Sequence, residues 1–129
     1  MTFRLTTMLV VAIASWLASP AEAQNAPANG EQLFRARCGT CHSLEPGQNR
    51  LGPSLAGGLV DREAGKVAGA RYSEALRNSK LVWTAEQLDA YLENPRQVVP
   101  GTTMTFALRD AAQRQAIIAY LRGVRAASQ

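Results

Sequence analysis

The residues that could do chemistry cluster at Cys38-Gly39-Thr40-Cys41-His42, two thiols three positions apart with an imidazole directly after the second. Each thiol of such a pair can add across one vinyl group on an edge of a porphyrin. The next ring can then turn beneath the plane and give a nitrogen to the iron. Cys38 and Cys41 are therefore candidate covalent tethers of a haem c, and His42 is the candidate proximal ligand. Three other uses compete for these residues. A thioredoxin-like couple needs a strand–helix–strand setting, whereas the flanks here look helical. A structural zinc site needs four donors, and the chain has two Cys and one His. A plain disulfide would leave His42 without a task.

A haem iron has a second face. Met1 and Met8 fall in an N-terminal segment expected to be removed, which leaves Met104 as the Met of the mature chain. It sits in the turn-rich stretch Pro100-Gly101-Thr102-Thr103-Met104-Thr105-Phe106. A Met can simply fill a gap in a core, but in a haem protein with no second His, ligation is the stronger reading. Lys66 and Lys80 are weaker candidates, because an amine must shed its proton to bind. A thioether favours ferrous iron, and His/Met coordination fills both axial sites. That pattern describes a low-spin electron carrier and not a catalyst.

Export fits this chemistry. Arg4 precedes the apolar run Leu5–Ala18, Ser19-Pro20 break it, and Ala21-Glu22-Ala23 offers a cleavage site. Residues 1–23 are expected to be a cleaved signal peptide. The alternative is an uncleaved anchor, but the run is short against the roughly 20 residues of a spanning helix. The expected location is the bacterial periplasm, since covalent haem attachment needs thiols delivered outside the cytoplasm. Residues 24–28 read as a flexible leader, 29–126 as the single domain and 127–129 as a tail. Losing Arg4 and Glu22 together keeps the net charge at +4, and two haem propionates would lower it to about +2. No Lys/Arg run marks a nucleic-acid surface.

The elements that must position these groups read as short helices joined by long loops. Asn29 can cap a first helix, with Gln32 at the capping-box position, and that helix runs into the Cys38 motif. Residues 43–71 carry Gly47, Gly52, Gly57, Gly58, Gly65 and Gly69 together with Pro46 and Pro53, too many breakers for a long helix. Residues 72–77 suit a short helix. Thr84 with Gln87 caps another, which ends at Asn94-Pro95, and residues 96–109 read as irregular. Asp110 with Gln113 caps the last, with Ile117, Ile118, Tyr120 and Leu121 apolar. The class is all-α. The mature chain's aromatics are Phe34, Tyr72, Trp83, Tyr91, Phe106 and Tyr120, a thin inventory for so small a domain, so a buried porphyrin would supply missing apolar contact.

Taken together, the chain resembles a class I cytochrome c, of the mitochondrial cytochrome c and bacterial cytochrome c2 kind. The resemblance spans nearly all of residues 29–124. Its landmarks are Gly30 and Phe34, the haem motif, Gly52-Pro53, Tyr91-Leu92-Glu93-Asn94-Pro95, the Met104 loop and Ala119-Tyr120-Leu121. It implies a small cytochrome c fold wrapped around one covalent haem, with Gly30 and Phe34 meeting Ile117 and Tyr120 where the terminal helices cross. It also implies that the Pro53 carbonyl orients His42, and that Arg62, Tyr72 and Trp83 lie near a propionate. Tyr91 and Thr102 would flank Met104, and Phe106 would shield the haem edge. The family's lysine-rich docking rim is missing here. Arg37, Arg96 and Arg109 are candidates for a thinner one, and Leu76 stands where the family often has a polar residue.

The function so implied is a soluble, monomeric one-electron shuttle that docks transiently with redox proteins. A quinol-oxidising complex, a terminal oxidase or a periplasmic dehydrogenase are candidate partners, and any membrane contact would come through them. Membership of a larger oxidoreductase as its cytochrome subunit differs only in setting. An open-site peroxidase or gas sensor is disfavoured by Met104 and by the lack of a distal His.

Overall fold

The computed structural model describes residues 25–127. The signal peptide expected over residues 1–23 lies outside these, as do Gln24 and tail residues 128 and 129. In chain order the helices are α1 (Asn25–Arg37), α2 (Glu74–Asn78), α3 (Ala85–Glu93), α4 (Pro95–Val98) and α5 (Ala111–Ala127). Among the described residues there is no strand, only an isolated antiparallel bridge between Glu63 and Val82. No helix among them is long and apolar enough to cross a membrane.

Two of the five helix starts among the described residues are set by the expected side chains. Thr84 accepts from the Gln87 N–H and caps α3. Asp110 Oδ1 accepts from the Gln113 N–H at 3.0 Å, and the Gln113 amide reaches back to the same carboxylate. Ser73 caps α2, which begins at Glu74, slightly later than expected. Two boundaries differ from the sequence reading. The leader expected over residues 24–28 is helical from Asn25, so Asn29 lies inside α1 and does not cap it. Pro27 is compatible with this, because N–H groups in the first turn of a helix have no intrahelical partner to lose. Nor are residues 96–109 wholly irregular. Asn94 closes α3 and its side chain also caps α4, whose first residue is Pro95.

The terminal helices cross: α1 packs on α5, and α3 packs on both α4 and α5. Gly30 makes this possible, since a Cβ there would lie 2.8 Å from Tyr120 Cβ and against the Ala116 carbonyl. Phe34 is buried beside Tyr120, with ring centroids 5.9 Å apart. Ile117, 1 % exposed, belongs to the same buried core. Gly30 and Phe34 of α1 thus meet Tyr120 of α5 in this contact.

The Gly-rich stretch is held by side chains bonding backbone. Asn49 Nδ2 donates to Ala68 O at 3.1 Å while its Oδ1 accepts from Ser54 N at 2.9 Å. Buried Ser54 donates its hydroxyl to Glu45 O at 2.7 Å. A loop so tied can form one wall of a cavity without regular structure.

Candidate functional site

The loop, α3 and α5 enclose a cavity of about 440 Å³, within the roughly 300–1,000 Å³ usual for cofactor pockets. It brings together Cys38, Cys41, His42 and the sequence-distant Met104. Pro53, Tyr72, Trp83, Tyr91, Thr102 and Phe106 also line it, as do Phe34, Leu76, Leu88, Leu92, Ile117 and Leu121.

The wall carrying His42 is a compact turn. The Cys41 and His42 N–H groups both donate to Cys38 O, at 3.0 and 2.9 Å, and Gly52 N donates to Cys41 O at 2.9 Å. This brings Gly52 onto the imidazole. A Cβ at Gly52 would sit 2.8 Å from His42 Nδ1, so only a glycine lets the ring lie flat against the backbone. His42 Nδ1 lies 2.8 Å from Pro53 O, which assigns the ring proton to Nδ1 and leaves Nε2 as the ring's remaining donor atom. Burial lowers the His42 pKa, against the opposing pull of the Pro53 bond, and so favours the neutral ring a metal ligand needs.

Both cysteines are free and half-buried. Burial, reinforced by neighbouring Cys41, pushes the Cys38 thiol up to about 11. A thiol–disulfide couple works through a thiol shifted in the opposite direction. No group of three His, Cys, Asp or Glu side chains among the described residues could cage a metal ion, which counts against the zinc reading too.

Met104 is held from α3. The Tyr91 hydroxyl lies 2.6 Å from Thr102 Oγ1, a buried pair, and the Met104 N–H donates to the same oxygen at 3.3 Å. Trp83 stacks at a tilt on Tyr91, with centroids 4.7 Å apart. Burial raises the Tyr91 phenol pKa, with the Thr102 bond opposing.

Not every expected residue reaches the cavity. Arg62 does not line it; its guanidinium donates to Ala56 O and Gly58 O, both at 3.2 Å. Arg71 lines the cavity instead, next to Tyr72, and no feature of the sequence singled it out. The Tyr72 hydroxyl accepts from Val67 N at 3.3 Å. Of the three candidate rim arginines, Arg37 lines the cavity, whereas Arg96 and Arg109 are exposed and are not among its lining residues. Leu51 lines it although it is 82 % exposed, and Phe106 is 38 % exposed, so the mouth is apolar. Arg114, buried behind the Met104 loop, was missed as well. Its signal was legible: it lies one helical turn before Ile117 and Ile118, a cation on the apolar face of α5.

These residues fit a haem c. The walls are apolar, two thiols adjoin a neutral imidazole, a thioether completes the donor set, and Arg37 and Arg71 offer cations to carboxylates. Comparison with known proteins agrees. The family model for cytochrome c matches residues 27–125. Cytochrome c of Euglena viridis is 45 % identical over 94 residues, covering 72 % of this chain and 91 % of that protein. Cytochrome c2 of Blastochloris viridis is 42 % identical over 106 residues, 81 % of each. The solved structure of cytochrome cH from Methylobacterium extorquens superposes with a TM-score of 0.68 at 37 % identity, covering 75 % of this chain and 97 % of that one.

Proposed function

The chain belongs to the cytochrome c family, electron-transfer proteins that bind one covalent haem c, and on that premise we propose a soluble periplasmic one-electron carrier with His42 and Met104 as axial ligands. The observation that carries this reading is the single cavity shared by Cys38, Cys41, His42 and Met104.

When bound, the haem supplies a one-electron Fe(III)/Fe(II) couple. The chain's own groups do the rest. Cys38 and Cys41 would hold the haem covalently. The Pro53 carbonyl fixes the proton on His42 Nδ1 and so keeps Nε2 unprotonated for ligation. The Tyr91–Thr102 pair steadies the backbone at Met104. Buried Trp83, Leu88, Leu92 and Ile117 exclude water, so a change of charge inside meets little solvent reorganisation. Arg71 would offer a cation to a propionate, and Arg37 one to the approaching partner.

Partners would dock at the mouth, where Leu51 and Phe106 give a small apolar patch beside Arg37. Redox contacts of this kind are small and short-lived, with rim charges setting encounter rates. An acidic face on a quinol-oxidising complex, a terminal oxidase or a periplasmic dehydrogenase fits this mouth.

An absorption spectrum of the exported protein, oxidised, then reduced, then under carbon monoxide, tests the reading. Sharp low-spin bands, a weak far-red sulfur–iron band in the oxidised form and no carbon monoxide shift are expected. A high-spin spectrum that shifts at once with the gas would replace the carrier with an open-site haem protein.

A further inference from the structure

The segment carrying Met104 is anchored on both sides. Upstream, Tyr91 grips Thr102. Thr103, Thr105, Phe106 and Ala107 are exposed. Downstream, the Leu108 N–H donates to Leu92 O at 2.7 Å, and both carbonyls that follow, Leu108 O and Arg109 O, accept from Arg114 Nη1 at 3.0 and 2.8 Å.

Arg114 is an unusual residue to spend there. Its side chain is 6 % exposed, and a buried charge is costly unless fully paired. It is paired: Nε donates to Asp89 Oδ1 at 2.8 Å, Nη2 to Asp89 Oδ2 at 3.3 Å, and Glu93 Oε1 lies 3.7 Å from Nη2. Asp89 and Glu93 belong to α3, the helix that also supplies Tyr91 and Leu92. One guanidinium therefore joins α5, α3 and the exit of the Met104 segment, through a fork that a single ammonium cannot reproduce. A buried ion pair is poor evidence of a stability role, because a well-packed apolar replacement often does as well. What an apolar replacement cannot do is donate to two loop carbonyls.

We propose that Arg114, held by Asp89, is a positioning residue that keeps Met104 in place by latching the downstream end of its loop. It acts through Leu108 and Arg109 and not on the iron. The proposal rests on the reading of Met104 as ligand.

The test uses the haem-loaded full chain in the ferric state, with added imidazole as a probe that competes with Met104. The far-red sulfur–iron band is followed, and the denaturation midpoint is measured separately. A looser loop raises the fraction of protein open to the probe, so Arg114→Gln should bind imidazole about tenfold more tightly, and Asp89→Asn about threefold. Arg114→Lys should fall between wild type and Arg114→Gln. If Arg114→Gln does not accumulate, Asp89→Asn and Arg114→Lys carry the same test. A far-red band in the wild type with unchanged imidazole affinity in the variants, even at a lowered denaturation midpoint, leaves Arg114 a merely structural residue and overturns the latch. A wild type without the band removes the Met104 reading, and the latch with it.

Discussion

The two walls of the cavity are built in opposite ways. On the His42 side, contiguous residues 38–42 fold into one turn, and Gly52 and Pro53 a short way downstream complete it. On the Met104 side almost nothing is local. The segment is exposed around its Met, and its anchors come from α3 and α5: Tyr91, Leu92 and Arg114. One wall is a motif; the other is an assembly of long-range contacts. The contrast suggests a division of labour, in which the first side fixes the cofactor and the second tunes it.

Substitutions can sharpen or break that division. The largest effect is expected at Met104→Ala, which should lower the reduction potential by on the order of a few tenths of a volt and open the iron to carbon monoxide, while covalent haem content stays normal. Potentiometry and a gas titration check this, and an unchanged potential would mean that the second wall does not supply a ligand. Next is Gly52→Ala, whose Cβ would clash with the His42 ring, 2.8 Å from Nδ1 and nearer still to Cε1. Forcing ring and backbone apart should cost about 1–3 kcal/mol, read as a lower denaturation midpoint. A neutral result would show that the motif wall is softer than its geometry implies. Tyr91→Phe should follow, at about 1 kcal/mol, because Thr102 loses its buried partner; weakening of the far-red band would accompany it. The smallest effect is expected at Arg37→Glu, a rim change that should slow electron transfer to an acidic partner a few-fold at low salt. The difference should vanish near 1 M salt, where the screening length is about 3 Å. Rates that ignore both charge and salt would move docking away from this mouth.

The same contrast explains what could be read from the sequence. Cys38, Cys41 and His42 were legible because their chemistry depends on spacing, and Thr84 and Asp110 because a cap is a contact across three residues. Asn29 misled because a good capping residue does not stop a helix from starting earlier, at Asn25. α4 was missed because Asn94-Pro95 reads equally as the end of one helix and the start of the next. Arg62 and Arg71 show the harder limit. Both are arginines in the Gly-rich stretch, and only the folded loop decides that Arg62 bonds to Ala56 and Gly58 carbonyls while Arg71 reaches the cavity. Arg114 lay between these cases: its place on the apolar face of α5 was visible, but its partners on α3 were not.

The crossing of α1 and α5 has a consequence for the order of events in the life of the chain. Among the described residues α1 and α5 lie far apart in the chain yet pack on each other, so the long loop between them must close before that contact gives any return. Removing α5 would therefore expose the face of α1 around Phe34 and take away the cavity wall that Ile117 and Leu121 supply. A shortened chain would lose the housing of its cofactor along with its end.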